Sequence, residues 1–196
     1  METTSENKKA NLSDSQPSKI GVSTWKIDHA HSHIQFTVKH LVITTLSGQF
    51  NTFDATMECF GDDFTHAKIK FEADVDSIST GNAARDGHLK SDDFFNASQF
   101  PKLTFVSTNI VKTDDEHYTL NGNLTIRDKT LPITLDVKYG GTVNGMNGQT
   151  LAGFELKGKI NRKDFGLKWS YTTEAGSIVV SDEVNLVMGV EMVKQA

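Results

Sequence analysis

Apolar and polar residues alternate along most of this 196-residue chain. In "HIQFTVKH", from His33 to His40, every second residue belongs to one apolar-rich face, and "KIKFEADVDSI" and "DEVNLVMGVEM" repeat the pattern. A period of two is that of a β-strand with one buried face. We count eight such segments, separated by polar turn residues typical of antiparallel hairpins. The sequence therefore predicts an all-β fold of eight antiparallel strands.

Strands with one apolar face must close over a shared core, and a barrel also removes exposed sheet edges. One strand is irregular: "SGQFNTFDATMECF" changes face between Phe50 and Phe53. An extra residue in one strand produces such a change, so we expect a β-bulge there. The predicted architecture is an antiparallel β-barrel.

One long segment between two strands, "STGNAARDGHLKSDDFFNASQFP", lacks the alternation. From Gly81 to about Lys90 it is helix-like, with a Ser/Thr start. Ser91 or Asp92 could cap a second short turn, which must end before Pro101. We expect a helical lid over the barrel.

Charge and composition exclude several classes of protein. The net charge of -5 and the pI of about 5.8 oppose binding to nucleic acid or anionic membranes. Cys59 is the single cysteine, so neither an internal disulfide nor a cysteine-based zinc cluster can form. No apolar run approaches the roughly 20 residues that span a bilayer. Residues 1–23 are polar and lack a signal-peptide core, so we expect a disordered arm on a soluble, cytoplasmic barrel domain of residues 24–196.

Four of the seven histidines lie between Asp28 and His40. His29, His31 and His33 alternate and would share one face of a strand. Zinc requires ligands converging at about 2.0 to 2.1 Å, whereas β-carbons two residues apart on a strand are separated by roughly 6 to 7 Å. We therefore interpret the three as residues at the barrel rim, and expect no metal and no cofactor. His40 is interpreted differently from these three. It either presents a polar atom to a ligand or is a core histidine whose ring nitrogens have hydrogen-bond partners.

Two motifs invite an enzymatic interpretation. In "RDGHL", Arg85, Asp86 and His88 bring a cation, an acid and a potential base together. On a helix, however, Asp86 and His88 point in different directions and make a poor catalytic pair. "NRKDFG", with Arg162 and Asp164, has the same two interpretations. We predict no catalytic residue, and an enzyme using Asp86 and His88, or the cluster of His29, His31 and His33, is the alternative.

Several blocks of the chain resemble one family, in order. They are "WKIDHAHSHIQFTVKHLVITTLSGQFNTFDA", "TGNAARDGHLKSDDFF" followed by "FP" and "LTF", "YTLNGNLTIRDKTLPITLDV" and "GFELKGKINRKDFGLKW". From about Trp25 to the C-terminus the chain is similar to the YceI family of lipocalin-like, polyisoprenoid-binding proteins. The resemblance implies an extended eight-stranded barrel, commonly a homodimer, with an apolar tunnel for a lipid chain and no catalytic residue.

An eight-stranded barrel can be solid or can hold one slender ligand. The 12 phenylalanines favour a container, and the resemblance selects it. We expect the protein to sequester or transport a long-chain isoprenoid or related lipid, such as a polyprenyl phosphate, an isoprenoid quinone or a fatty-acid derivative. A solid barrel that recruits a protein partner through its outer face is a further alternative.

The residues expected to contact the ligand combine inward-facing and lid positions with polar candidates near the mouth. Arginine there would suit a phosphate head group. The predicted set is Phe36, Val38, His40, Phe50, Phe53, Phe71, Ala73, Arg85, Phe94, Phe95, Phe105, Ile126, Phe154, Arg162, Trp169, Leu186 and Met188.

Overall fold

The computed structural model describes residues 21–61, 63–172 and 179–196. Within these ranges the chain forms eleven antiparallel β-strands, a short 3-10 helix (Val75–Ser77) and one α-helix, α1 (Ala83–Lys90). No helix of the described residues is long and apolar enough to cross a bilayer. The strands are β1 (Val22–Ile27), β2 (His33–His40), β3 (Thr44–Phe50), β4 (Phe53–Phe60), β5 (Asp63–Asp74), β6 (Ile78–Ser79), β7 (Lys102–Lys112), β8 (His117–Ile126), β9 (Lys129–Asn144), β10 (Thr150–Asn161) and β11 (Val180–Lys194).

Strand β11 closes the barrel because it pairs with three other strands. One edge pairs with β10 along most of its length. The other edge pairs with β1, where Trp25 lies opposite Lys194, and with β2, where Ile34 lies opposite Met188. The closed ring runs β1–β4–β5–β7–β8–β9–β10–β11. Three of its positions are extended by a second strand after an interruption in the ladder: β2 extends β1, β3 extends β4 and β6 extends β5. The eight-stranded antiparallel barrel is confirmed.

The first strand begins earlier than the sequence predicted. Val22 and Ser23, which were assigned to the arm, pair with Phe60 and Cys59 of β4. The alternation in β1 is weak evidence by itself, because only Trp25 and the last residue of the strand are buried. Residues 1–20 of the predicted arm lie outside the described residues.

The predicted bulge between Phe50 and Phe53 is wrong: the chain passes from one strand to another there. β3 pairs with β2 and β6, whereas β4 pairs with β1 and β5. Between them the N–H of Asn51 donates to the carbonyl of Ser77 at 3.2 Å, and the N–H of Asp74 donates to the carbonyl of Thr52 at 2.9 Å. The change of face therefore marks a break in the ladder.

Helix α1 lies in the predicted lid segment, residues 79–101, but its cap differs from the prediction. Asn82 is the N-cap, and its side-chain oxygen accepts a hydrogen bond from the N–H of Arg85 at 3.0 Å. The predicted second short turn begins at Ser91, whose carbonyl accepts from the N–H groups of Phe94 and Asn96, at 3.1 and 2.8 Å, and further turns lead to β7.

The predicted rim position of His29 and His31 is also wrong. Residues 28–32 form a turn between β1 and β2, part-way along the barrel wall, because the N–H of Asp28 donates to the carbonyl of Glu191 in β11 at 2.8 Å. His33 is the first residue of β2. The three histidines have different surroundings and do not share a face.

Each of the two turn histidines has its own polar partner. His29 Nε2 donates to the carbonyl of Phe53 at 2.9 Å. His31 Nδ1 lies 2.9 Å from Asp28 Oδ2 and 3.7 Å from Glu191 Oε1. Hydrogen bonding to Asp28 and the charges of both carboxylates raise the pKa of His31, and the same hydrogen bond lowers the pKa of Asp28.

An aromatic cluster closes the end of the barrel where β1 begins. The Trp25 ring is completely buried and packs edge-on against Phe64, with ring centroids 5.9 Å apart. Phe64 in turn contacts Tyr139 and Phe154 at 5.4 and 5.2 Å. These four rings form one contiguous cluster, and we refer to them as the aromatic floor.

We expect Gly122→Ala to destabilise the barrel by about 1–3 kcal/mol, because overpacking displaces core side chains. An added β-carbon would lie 2.2 Å from the buried ring of Phe105. The control is Gly153→Ala, where no atom lies within 4 Å of the added carbon. Denaturant unfolding should separate the two variants, and equal midpoints would contradict this packing.

We expect the pKa of His31, measured by NMR titration, to lie above the usual histidine value and to fall in Asp28→Asn. Since the folded state favours the protonated ring, the pair stabilises the fold below the ordinary histidine pKa. That contribution is lost as the pH rises through the raised pKa. Asp54→Asn, which removes the carboxylate beside His29 instead, is the control. An unchanged His31 pKa in Asp28→Asn would show that the contact does not form.

Candidate ligand-binding cavity

The barrel encloses a cavity of about 400 Å³, within the range of small-molecule sites. Its walls follow from the alternation of each strand. In β10, Phe154, Leu156 and Ile160 face inward, whereas Lys157 and Lys159 are exposed outside. A larger depression of about 680 Å³ lies on the outer face of β9–β11, but those two lysines line it. The inner cavity is therefore the candidate site for an apolar ligand.

Most of the predicted contact residues line this cavity. Phe53 and Ala73 do not: both are buried and lie opposite each other in β4 and β5. The Phe53 ring packs beside that of His29, with centroids 5.7 Å apart, and Ala73 is also paired with Leu103. The predicted contact residues that do line the cavity are Phe36, Val38, His40, Phe50, Phe71, Arg85, Phe94, Phe95, Phe105, Ile126, Phe154, Arg162, Trp169, Leu186 and Met188.

Most of the polar residues that line the cavity lie at one end. Phe64 and Phe154, the inner rings of the aromatic floor, line its closed end. The polar lining residues come mainly from β2, β3, the lid segment and the start of the segment after β10. They are Gln35, His40, Ser47, Thr80, Arg85, His88 and Arg162, and the phenol of Tyr118, at the start of β8, is a further polar group in the lining. A bound amphipathic molecule would place its apolar chain toward the floor and its polar group toward this end, which we refer to as the mouth.

Arg162 is only 3 % exposed, and its hydrogen bonds hold the wall together. Nε donates to the carbonyl of Ser181 at 2.9 Å. One terminal nitrogen donates to the carbonyls of Leu167 and Trp169 at 2.6 and 2.7 Å, and the other donates to Asp182 Oδ1 at 3.1 Å. Burial lowers the pKa of Arg162, and the charge of Asp182 opposes this shift. Because four of its five N–H groups are used, its main role is to fasten the segment after β10 to β11.

Arg85 is the available cation of the mouth. Its Nε donates to Thr80 Oγ1 at 2.7 Å and Nη2 donates to the Thr80 carbonyl at 2.9 Å. Asp86 accepts from the N–H and the hydroxyl of Thr80 at 2.8 and 2.5 Å, and so fixes the threonine that orients the arginine. Nη1 of Arg85 has no hydrogen-bond partner in the part of the chain that the structure describes. That group can donate to a ligand.

His88 and Asp86 do not form a catalytic pair. His88 Nε2 lies 2.9 Å from Asp93 Oδ2, while Asp86 bonds to Thr80. The His88 ring packs edge-on against Phe94 and Trp169, at 5.1 and 5.2 Å. These three rings form an aromatic wall beside the lid segment.

His40 lines the mouth at the end of β2. No hydrogen bond of its ring occurs within residues 21–61, 63–172 and 179–196, so it is not a satisfied core histidine. Its contact with a ligand stays a prediction.

One group of potential metal ligands lies outside the cavity. Among the described residues, Asp28, His31 and Glu191 are the one group whose metal-ligand atoms all lie within 4.8 Å of one another. Of the three histidines that the sequence singles out, only His31 belongs to it.

Sequence reasoning missed several lining residues. Leu120, Leu124, Leu135 and Val137 of β8 and β9 line the cavity, and their alternation could have placed them in the predicted site. Thr80 has no such signal, because its role depends on its contacts with Arg85 and Asp86.

Comparison with known proteins agrees with this geometry. The family model for the YceI-like domain matches residues 25–192. UPF0312 protein YE1254 of Yersinia enterocolitica is 40% identical over 172 residues, which cover 87% of this chain and 86% of the relative.

Solved structures extend the comparison. The Campylobacter jejuni YceI protein is 34% identical, with a TM-score of 0.70 over 81% of this chain and 90% of that one. A polyisoprenoid binding domain from Saccharophagus degradans, implicated in plant cell wall breakdown, shares the fold at 14% identity, with a TM-score of 0.60 over 87% of this chain and 98% of that one. On the match over residues 25–192 and on these relatives, the chain belongs to the YceI-like domain family.

Proposed function

We propose that this protein binds a long-chain isoprenoid or a related lipid inside its barrel and sequesters or carries it. One observation carries the proposal: an apolar cavity that is closed by aromatic rings at one end and has most of its polar groups at the other. The solved structure from Saccharophagus degradans, described as a polyisoprenoid binding domain, supports the same ligand class. Catalysis finds less support, because Asp86 and His88 have separate partners.

Burial of the lipid chain supplies the binding energy. Each CH₂ removed from water contributes about 0.8 kcal/mol, so a chain of about 16 carbons gains roughly 13 kcal/mol before ordering costs. Such binding depends little on the identity of the chain. Discrimination between a polyprenyl phosphate, an isoprenoid quinone and a fatty-acid derivative therefore rests on the groups at the mouth.

The direct test is organic extraction and mass spectrometry of the protein purified from its own cells. A stoichiometric isoprenoid or other long-chain lipid is the expected result. Empty protein that also fails to bind such lipids when they are added would refute the proposal. Formation of a homodimer and a cytoplasmic location remain predictions.

We expect Leu156→Trp to weaken binding of a fluorescent polyprenol at least tenfold, because the indole would occupy the space of the lipid chain. Leu156 is partly buried and lines the cavity. The control is Lys157→Trp, on the next residue of β10, whose side chain is exposed on the outer face. Equal affinities in the two variants, both folded, would show that the ligand does not occupy this part of the barrel.

We expect Arg85→Gln to weaken binding of a polyprenyl phosphate about tenfold and to leave binding of the uncharged polyprenol nearly unchanged. A charge-assisted hydrogen bond from Nη1 would be lost only for the anionic ligand. Titration of both ligands against both proteins gives the comparison. An equal loss for the two would indicate that Arg85 only positions the lid segment through Thr80.

A further inference from the structure

We propose that the tip of the β2–β3 hairpin, Leu41–Ile43, together with Tyr171, docks on the surface of a lipid bilayer, and that the ligand enters and leaves the barrel there. Val42 and Ile43 are 74 % and 79 % exposed, and Tyr171 is 60 % exposed. The inference rests on the proposed function, since it names the source from which the bound lipid comes. We refer to these four residues as the apolar tip.

The apolar tip is bonded directly to the rim of the mouth. The N–H of Leu41 donates to the carbonyl of Val179 at 3.0 Å, and the N–H of Val179 donates to the carbonyl of Tyr171 at 3.1 Å. Val179 itself lines the cavity, as does His40, the residue before the tip. The apolar surface therefore continues from the inside of the barrel to the exposed side chains outside.

Backbone geometry gives a second, independent reason to assign the tip a role. Leu41 and Val42 have φ angles of 51° and 62°, in the left-handed region. A β-branched residue such as Val42 rarely adopts this conformation, which glycine and asparagine adopt readily. Neither burial nor backbone preference favours valine here. An apolar environment outside the chain accounts for it, and backbone strain of this kind is concentrated at functional sites.

The chemistry of the tip favours a bilayer as the partner. A lipid chain that moves between a membrane and the cavity would cross water unless the mouth touches the membrane. Valine and isoleucine partition into the apolar part of the interface, and tyrosine is enriched at the level of the head groups. Because the net charge of -5 opposes anionic surfaces, the favoured bilayer is zwitterionic. With few side chains inserted, the association should be weak and reversible.

The test uses phosphatidylcholine vesicles and the double variant Val42→Ser/Ile43→Ser. Its matched control is Val143→Ser/Met146→Ser, because those apolar side chains are 62 % and 104 % exposed at the opposite end of the barrel. We expect the tip variant to co-sediment with vesicles at least fivefold less than wild type or the control. Its rate of polyprenol transfer between vesicles should fall by a similar factor. Ile43→Ser alone, at a residue outside the left-handed region, should show a smaller loss in the same direction.

Two further measurements separate the possible failures. Binding of polyprenol added without vesicles should be equal in wild type, tip variant and control. If no form binds polyprenol, the proposed function fails, whereas co-sedimentation still tests the docking surface. Equal vesicle binding by the tip variant and the control overturns the inference. A second outcome would also overturn it: wild type sediments as a dimer, the tip variant sediments as a monomer, and both bind vesicles equally. The tip would then join two copies of the chain.

Discussion

The pairing of β11 with β10, β1 and β2 is the constraint on which the rest of this molecule depends. It turns an open sheet with one apolar face into a ring, so that the apolar face becomes the lining of an enclosed space. The same ring leaves a cavity at its centre. Inward side chains such as Leu156 and Leu186 line this cavity and are therefore only partly buried. Closure alone would also allow a solid barrel, so the enclosed space depends on inward side chains that leave the centre unfilled, and the ends of the ring decide its polarity.

The two cavity arginines show how context decides the use of one residue type. Arg162 is buried and bonded to three backbone carbonyls and Asp182, so it serves the wall. Arg85 is half-buried and is oriented by Thr80, which leaves part of its guanidinium open to the cavity. Both were candidates for the polar groups that contact a ligand at the mouth, and most of the N–H groups of Arg162 already have partners, whereas Nη1 of Arg85 has none among the described residues.

Alternation predicted the long strands and most of the lining well, because burial on one face of a strand leaves a signal in the sequence itself. It could not predict β1, where the chain buries only Trp25 and Ile27, or distinguish a bulge from the break after Phe50. Those outcomes depend on which strands lie alongside, and so on contacts between distant parts of the chain. The position of His31 likewise depends on a distant residue, Glu191 of β11. The anchoring of Arg162 depends on Ser181 and Asp182 of the same strand.

Strand β6 has a consequence for local stability. Among the described strands it pairs only with β3, so its other side is a free edge facing the gap before β7. Helix α1 and the turns after it cover this gap, held by side-chain bonds such as those from Arg127 to the carbonyls of Asp92 and Phe94, at 3.2 and 3.0 Å. Segments without ladder bonds open at lower free energy than a paired strand. Local unfolding of this cover would therefore open the side of the cavity near the mouth, while the eight-strand ring stays intact.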